Sequence, residues 1–153
     1  MRTIEIPGEG TLRLEHLMLD VNGTLTDRGV LIEGVAERLA RLAPDLVLHL
    51  FTADTYGTAA QLGERLGIEV TRIRDGTDKA AFVAALGAGT TAAIGNGRND
   101  AAMLRGARIG IAVVGPEGAA GAALAAADVV CGSIGAALDL LADDRALAAT
   151  LRP

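Results

Sequence analysis

"LEHLMLDVNGTLTDRG", residues 14–29, is the stretch that decides how the rest of the chain is read. Leu17-Met18-Leu19 is an apolar run of strand type, and it stops at Asp20. Asn22-Gly23-Thr24 turns the chain at once. An uninterrupted apolar run of this length marks a strand buried on both faces, the central position of a parallel sheet. A carboxylate at the end of such a strand stands on the rim where these sheets bind ligands. Taken alone, Asp20 has an equally simple reading as a turn cap. The other loops of the same rim therefore have to decide.

Upstream, residues 3–6 and 11–15 alternate apolar with polar around Pro7-Gly8-Glu9-Gly10, which predicts a β-hairpin whose second arm runs on into Leu17–Leu19. Downstream, residues 27–32 read as a turn between short extended pieces. Residues 34–42 have a helical period, stopped by Pro44. Strands are predicted at 46–51, 68–73, 91–94, 109–113 and 129–130. Helices are predicted at 57–66, 78–86, 100–106, 117–126 and, as the last element, 134–141. Strands alternating with helices of this length define an α/β fold with a doubly wound, mainly parallel sheet. Residues 1–153 show no linker, repeat or low-complexity tract, so one domain is expected.

Composition narrows the function. Half the residues are hydrophobic but only 2% are aromatic, which argues against a base-stacking surface for single-stranded nucleic acid. The net charge of −5 and the lack of a basic run argue against nucleic acid and anionic membrane as partners. No apolar run reaches the ~20 residues of a membrane span. A single cysteine, Cys131, forms no internal disulfide and reads as a small buried apolar residue. With no signal-peptide pattern at Met1-Arg2, a cytoplasmic setting is expected.

The rim residues form a set. Asp20 and Asn22 follow the first central strand, Thr52 and Asp54 the second, and Asn96, Asn99 and Asp100 a third. Lys79, the chain's only lysine, opens the helix between the last two. Carboxylates hold Mg²⁺ through oxygen. A lysine and the N–H groups of a glycine turn cradle a phosphate. An aspartate beside that phosphate can attack phosphorus, and cations are needed because two anions must meet. His16 and His49 alternate with apolar neighbours and read as core or edge histidines without partners.

"LMLDVNGTLTD", "LFT" ending at Thr52, Lys79 and "AIGNGRND" resemble, in order, the four motifs of the haloacid dehalogenase (HAD) superfamily. The likeness is greatest to P-type ATPase catalytic domains and to the small soluble P-type ATPase-like group. It implies a Rossmann-like HAD core without a cap domain, and a phosphatase that works through an aspartyl phosphate with Mg²⁺ as cofactor. By that resemblance Asp20 is the nucleophile, and Asp20, Asn22 (through its carbonyl), Asn96 and Asp100 form the metal set. Asp20, Gly23, Thr52, Ala53 and Lys79 form the phosphate set, while Thr24 shapes the loop.

Two departures matter. Asn22 stands where family phosphatases carry their general acid/base, and Asn96 replaces the first acid of the fourth motif. An amide moves no proton near neutral pH, and losing general acid–base catalysis costs about 10²–10⁴ in rate. Slow turnover is the expectation, with Asp54 as a candidate stand-in acid. The rival reading is a non-catalytic phosphate- or metabolite-binding regulator on the same scaffold. The expected partner is a phosphorylated small molecule or phosphoprotein, and a homo-oligomer, dimer or tetramer, would close a capless site.

Overall fold

The computed structural model describes residues 1–153. The chain opens with an antiparallel hairpin of β1 (Arg2–Ile6) and β2 (Gly10–Leu14), in which Ile4 faces Leu12. It then enters β3 (His16–Asp20). A flap follows, made of β4 (Thr26–Asp27) and β5 (Val30–Leu31). Arg28 and Gly29, at its tip, have φ of 46° and 85°. Positive φ at both central residues makes this a tight hairpin turn that suits strand twist.

The remaining elements alternate. They are α1 (Val35–Leu42), β6 (Val47–Thr52), α2 (Ala59–Leu66), β7 (Val70–Arg72) and α3 (Gly76–Leu86), then β8 (Thr91–Gly95) and α4 (Ala101–Gly106). The chain finishes with β9 (Ile109–Val113), α5 (Gly121–Ala126), β10 (Val129–Cys131), α6 (Ile134–Ala142) and α7 (Asp144–Leu151).

Six strands form one parallel sheet in the order β10-β9-β8-β3-β6-β7. Strand β3 lies inside it, with Asp20 in register with Phe51 of β6 and Leu19 with Ile94 of β8. Leu17, Met18 and Leu19 have no exposure at all, as the unbroken apolar run requires. The chain winds outward from β3 in both directions, so the carboxyl ends of β3, β6 and β8 meet at the point where strand order reverses.

Each face of the sheet has its own core. One is large and includes Leu17, Leu19, Leu39, Leu138 and the inner face of the first hairpin; the other is smaller, around Met18, Phe51, Val83 and Met103. Helix α1 shows why its segment is helical: Val35, Leu39 and Leu42 recur at helical spacing and are all buried. Helix α3 starts at Asp75, whose side chain accepts from the N–H of Thr77 at 2.8 Å.

Four sequence expectations change. The second hairpin arm and β3 are separate strands, because Glu15 leaves the hairpin and bonds instead with Thr90 and Val47 of the sheet. The strand expected at 68–73 is shorter, at Val70–Arg72. The helix expected from 117 begins only at Gly121, since residues 115–118 form a turn closed by the N–H of Gly118 on the carbonyl of Gly115 at 2.9 Å. A further helix, α7, follows the one expected to be last. Asp143 caps it by accepting from the N–H groups of Arg145 and Ala146, and Leu147 anchors it in the core.

Candidate active site

Asp20 is 5% exposed at the end of β3. Its Oδ1 accepts from Lys79 Nζ at 2.6 Å, and its Oδ2 from Thr24 Oγ1 at 2.9 Å. The same ammonium, wholly buried, donates to Asp100 Oδ1 at 2.5 Å. Asp100 Oδ2 accepts from the N–H groups of Asn96 at 3.0 Å and Gly97 at 2.8 Å. Residues far apart in sequence thus meet around one cation, as expected for Asp20, Lys79 and Asp100. Gly95 makes room for this: a Cβ there would lie 2.5 Å from Asp100 Cγ.

Two carboxylates and one ammonium leave one negative charge in excess in a buried place. Burial first, then the charge of Asp100, push the Asp20 carboxyl up to about 7 against the opposing pull of Lys79 and Thr24. Burial works against the Lys79 charge, but the charges and hydrogen bonds of Asp20 and Asp100 outweigh it and hold the ammonium above its usual range.

The turn after Asp20 hangs on one carbonyl. Val21 O accepts from the N–H groups of Thr24, Leu25 and Thr26, and from Thr26 Oγ1. Gly23 has φ of 77°, and a Cβ on it would sit 2.7 Å from Asn96 Nδ2, so conformation and contact both demand glycine. Its N–H, however, is spent on Thr26 O at 3.1 Å, so Gly23 cannot donate to a phosphate as expected. The N–H groups of Asn22 and Ala53 have no partner in the protein. The free Asn22 N–H is a donor that sequence reasoning did not count. Buried Thr52 accepts from the N–H of Asp54 at 2.8 Å, which leaves its hydroxyl hydrogen as a donor.

The other residues divide. Asn22 is half-buried in the turn, and Asn99 is exposed and outside the cluster. Asn96 Nδ2 donates to Gly118 O at 3.0 Å, while its Oδ1 lies 3.1 Å from Thr24 Oγ1, whose one hydrogen goes to Asp20. Asp54 does not face the site as a free acid. Its Oδ1 caps α2 through the N–H of Ala59 at 2.9 Å, and its Oδ2 pairs with Arg72 at 2.6 Å. Sequence reading also passed over Tyr56 and Glu117. Tyr56 donates its hydroxyl to Glu117 Oε1 at 2.8 Å, and the Arg28 N–H approaches Oε2 at 3.4 Å. The one available signal was that Glu117 lies in the turn after β9, a fourth loop of the same rim.

Asp20 and Asp100 are the acids, and no group of three or more His, Cys, Asp or Glu residues gathers here or elsewhere. Oxygen donors and an uncompensated negative charge suit a hard divalent ion. Mg²⁺ is normally held by one or two carboxylates, with waters and substrate phosphate completing its shell. The residues present therefore fit Mg²⁺.

No family model matches the sequence. A 60-residue stretch is 47% identical to an uncharacterized protein of Methanocaldococcus jannaschii, covering 39% of this chain and 64% of that one. The match thus spans less than two thirds of that relative's length. Solved structures agree over much more of the chain. A Legionella pneumophila protein assigned to the subfamily III A hydrolases of the HAD superfamily superposes with a TM-score of 0.72 at 19% identity, over 92% of this chain and 88% of that one. The 3-deoxy-D-manno-octulosonate 8-phosphate phosphatase of Moraxella catarrhalis, solved with magnesium and phosphate ions, gives 0.65 at 21% identity over 91% and 87%. A zinc-transporting PIB-type ATPase in its E2.Pi state gives 0.65 at 30% identity, over 79% of this chain but 20% of the pump. The fold is that of the haloacid dehalogenase superfamily.

Proposed function

We propose that this chain is a Mg²⁺-dependent phosphohydrolase that transfers a phosphoryl group to Asp20 and hydrolyses the resulting aspartyl phosphate slowly. The observation that carries the reading is the buried Lys79 ammonium between Asp20 and Asp100, beside unspent donors on Asn22, Ala53 and Thr52. Asp20 attacks phosphorus as the ester P–O bond breaks. The N–H groups of Asn22 and Ala53 and the Thr52 hydroxyl hold the phosphoryl oxygens. Lys79 offsets the charge of Asp20 as the second anion arrives. Asp20, the carbonyl of Asn22 and the Asn96 amide would hold Mg²⁺, with Asp100 reaching it through water because its own oxygens serve three protein donors. The ion supplies further neutralisation of the meeting anions.

Asn22 can take no proton from the water that attacks the aspartyl phosphate, which favours a phosphoenzyme that persists. That behaviour agrees with the likeness to the soluble P-type ATPase-like group. A phosphorylated small molecule or a phosphoprotein is the substrate class. A capless site would be covered by a second copy of the chain in a dimer or tetramer. No helix is long and apolar enough to cross a membrane.

One observation favours a second reading, a non-catalytic phosphate-binding regulator. Asn96 is an amide tethered through its Nδ2 to Gly118 O and brings no negative charge, which weakens the metal set. Incubation with para-nitrophenyl phosphate and a panel of phosphate esters, with and without Mg²⁺, separates the two. Mg²⁺-dependent turnover that vanishes in Asp20→Asn supports the enzyme. Ligand binding with no turnover across the panel supports the regulator.

A further inference from the structure

We propose that Glu117 is the general base of this site, taking a proton from the water that cleaves the Asp20 phosphoenzyme. The inference rests on the reading of Asp20 as nucleophile. With Asn22 in the turn, that reading leaves the second half-reaction without a proton acceptor, and the nearby acids are engaged elsewhere. Asp54 caps α2 and pairs with Arg72. Asp100 is wholly buried and holds three donors.

Glu117 is placed differently. Its loop folds directly onto the Asp20 turn, so closely that a Cβ on Gly115 would lie 2.6 Å from Gly23 O. The carboxylate lies over the same turn, with Oε2 3.2 Å from the position a Gly23 Cβ would take. That position is also 2.7 Å from Asn96 Nδ2. The absent side chain at 23 therefore lets the Asn96 amide and the Glu117 carboxylate close in on the turn that follows Asp20.

Two neighbours aim the group. Tyr56, on the loop after β6, holds Oε1 at 2.8 Å, while Oε2 has only the long 3.4 Å approach of the flap's Arg28 N–H. One oxygen is tethered and the other has lone pairs to spare. Glu117 is exposed to solvent. In-line cleavage requires water to approach phosphorus opposite the Asp20 oxygen, from the side the leaving group vacated, and that is the solvent side. As the water oxygen bonds to phosphorus, the bond from phosphorus to Asp20 breaks. The water proton passes to Glu117, inorganic phosphate leaves, the Asp20 carboxylate is restored, and Glu117 returns its proton to solvent.

The test is rapid-quench kinetics with para-nitrophenyl phosphate and Mg²⁺, with the phosphoenzyme followed by intact-protein mass spectrometry. Glu117→Gln keeps an acceptor for Tyr56 but cannot take a proton. It should retain the burst of nitrophenol, lose about 10²–10⁴ in steady-state rate and accumulate phosphoenzyme. Asn22→Asp added to Glu117→Gln should recover turnover. A Glu117→Gln rate within twofold of the parent overturns the inference and leaves the nucleophile standing. So does loss of rate in Glu117→Ala but not in Glu117→Gln, which would make the residue a latch between loops. Absence of an Asp20-dependent burst in the parent protein overturns the nucleophile reading itself, and the inference with it.

Discussion

Strand β3 begins at His16 and ends at Asp20, and the physics of its two ends differs. At the carboxyl end, loops from β3, β6, β8 and β9 and the start of α3 converge, so Asp20 meets a buried ammonium and a second carboxylate. The amino end carries a different pair. There His16 meets His49 of β6, with an Nδ1···Nε2 separation of 3.1 Å, beside a cavity of about 700 Å³ bordered by Met1, Glu15 and Asp45. Each histidine is thus the other's partner, where the sequence had suggested none. Burial first, and then His16, lower the His49 pKa below its usual range. The comparison teaches that the two ends of one strand can meet groups with opposite responses to pH. Asp20 resists ionising, and His49 resists protonation.

The largest break in this comparison is Lys79→Met. It preserves side-chain length and leaves two buried carboxylates facing each other. Loss of activity is expected, together with about 3–5 kcal/mol of stability by denaturant titration, the cost of breaking a buried pair. A cost under 1 kcal/mol would mean that the site is wetter than its burial implies.

Asp20→Asn should reduce turnover by ~10³-fold or more, as loss of a nucleophile does, yet act oppositely on stability. The folded pKa of Asp20 is raised, so in metal-free protein its ionisation opposes folding as pH rises from the unfolded value of 3.8 through about 7. The variant should melt roughly 5 °C higher than the parent at pH 8, and the gap should close toward pH 4. An equal gap at both pH values would refute the charge argument.

Asn22→Asp restores an acid beside the nucleophile. A rise in hydrolysis on the order of 10²-fold is expected, measured as steady-state phosphate release. No rise would show that proton supply is not what limits the site.

His49→Leu should have the smallest effect. A lowered histidine pKa makes the folded state bind fewer protons than the unfolded chain, so stability falls as pH drops below about 6.5. The variant should remove that loss, which is under ~1 kcal/mol because solvent screens the half-buried pair, and leave turnover unchanged. A turnover change would mean that the two ends of β3 are coupled.

Much of the site was legible because its signals are local. An apolar run ending in Asp20, a glycine two residues past Val21, and Thr52 closing another strand are read directly from spacing. Lys79 was legible as a lone lysine at a helix start. Other features depend on distant segments. Whether the Gly23 N–H is free depends on how the chain closes back on Thr26. The short α5 depends on Asn96 reaching the loop at 118, whose Ala- and Gly-rich composition reads as helix. Helix α7 was missed although Asp143-Asp144 is a local cap signal, because its burial against the first hairpin is long-range.

What the sequence by itself determined is the order of strands and helices and which polar residues fall at strand ends, because periodicity and turn chemistry act over a few residues. Only the tertiary structure decided which of those residues pair: Asp20 and Asp100 with Lys79, Asp54 with Arg72, His16 with His49, Glu117 with Tyr56. Pairing depends on strand register and loop closure, and those are settled by burying two cores at once against one sheet.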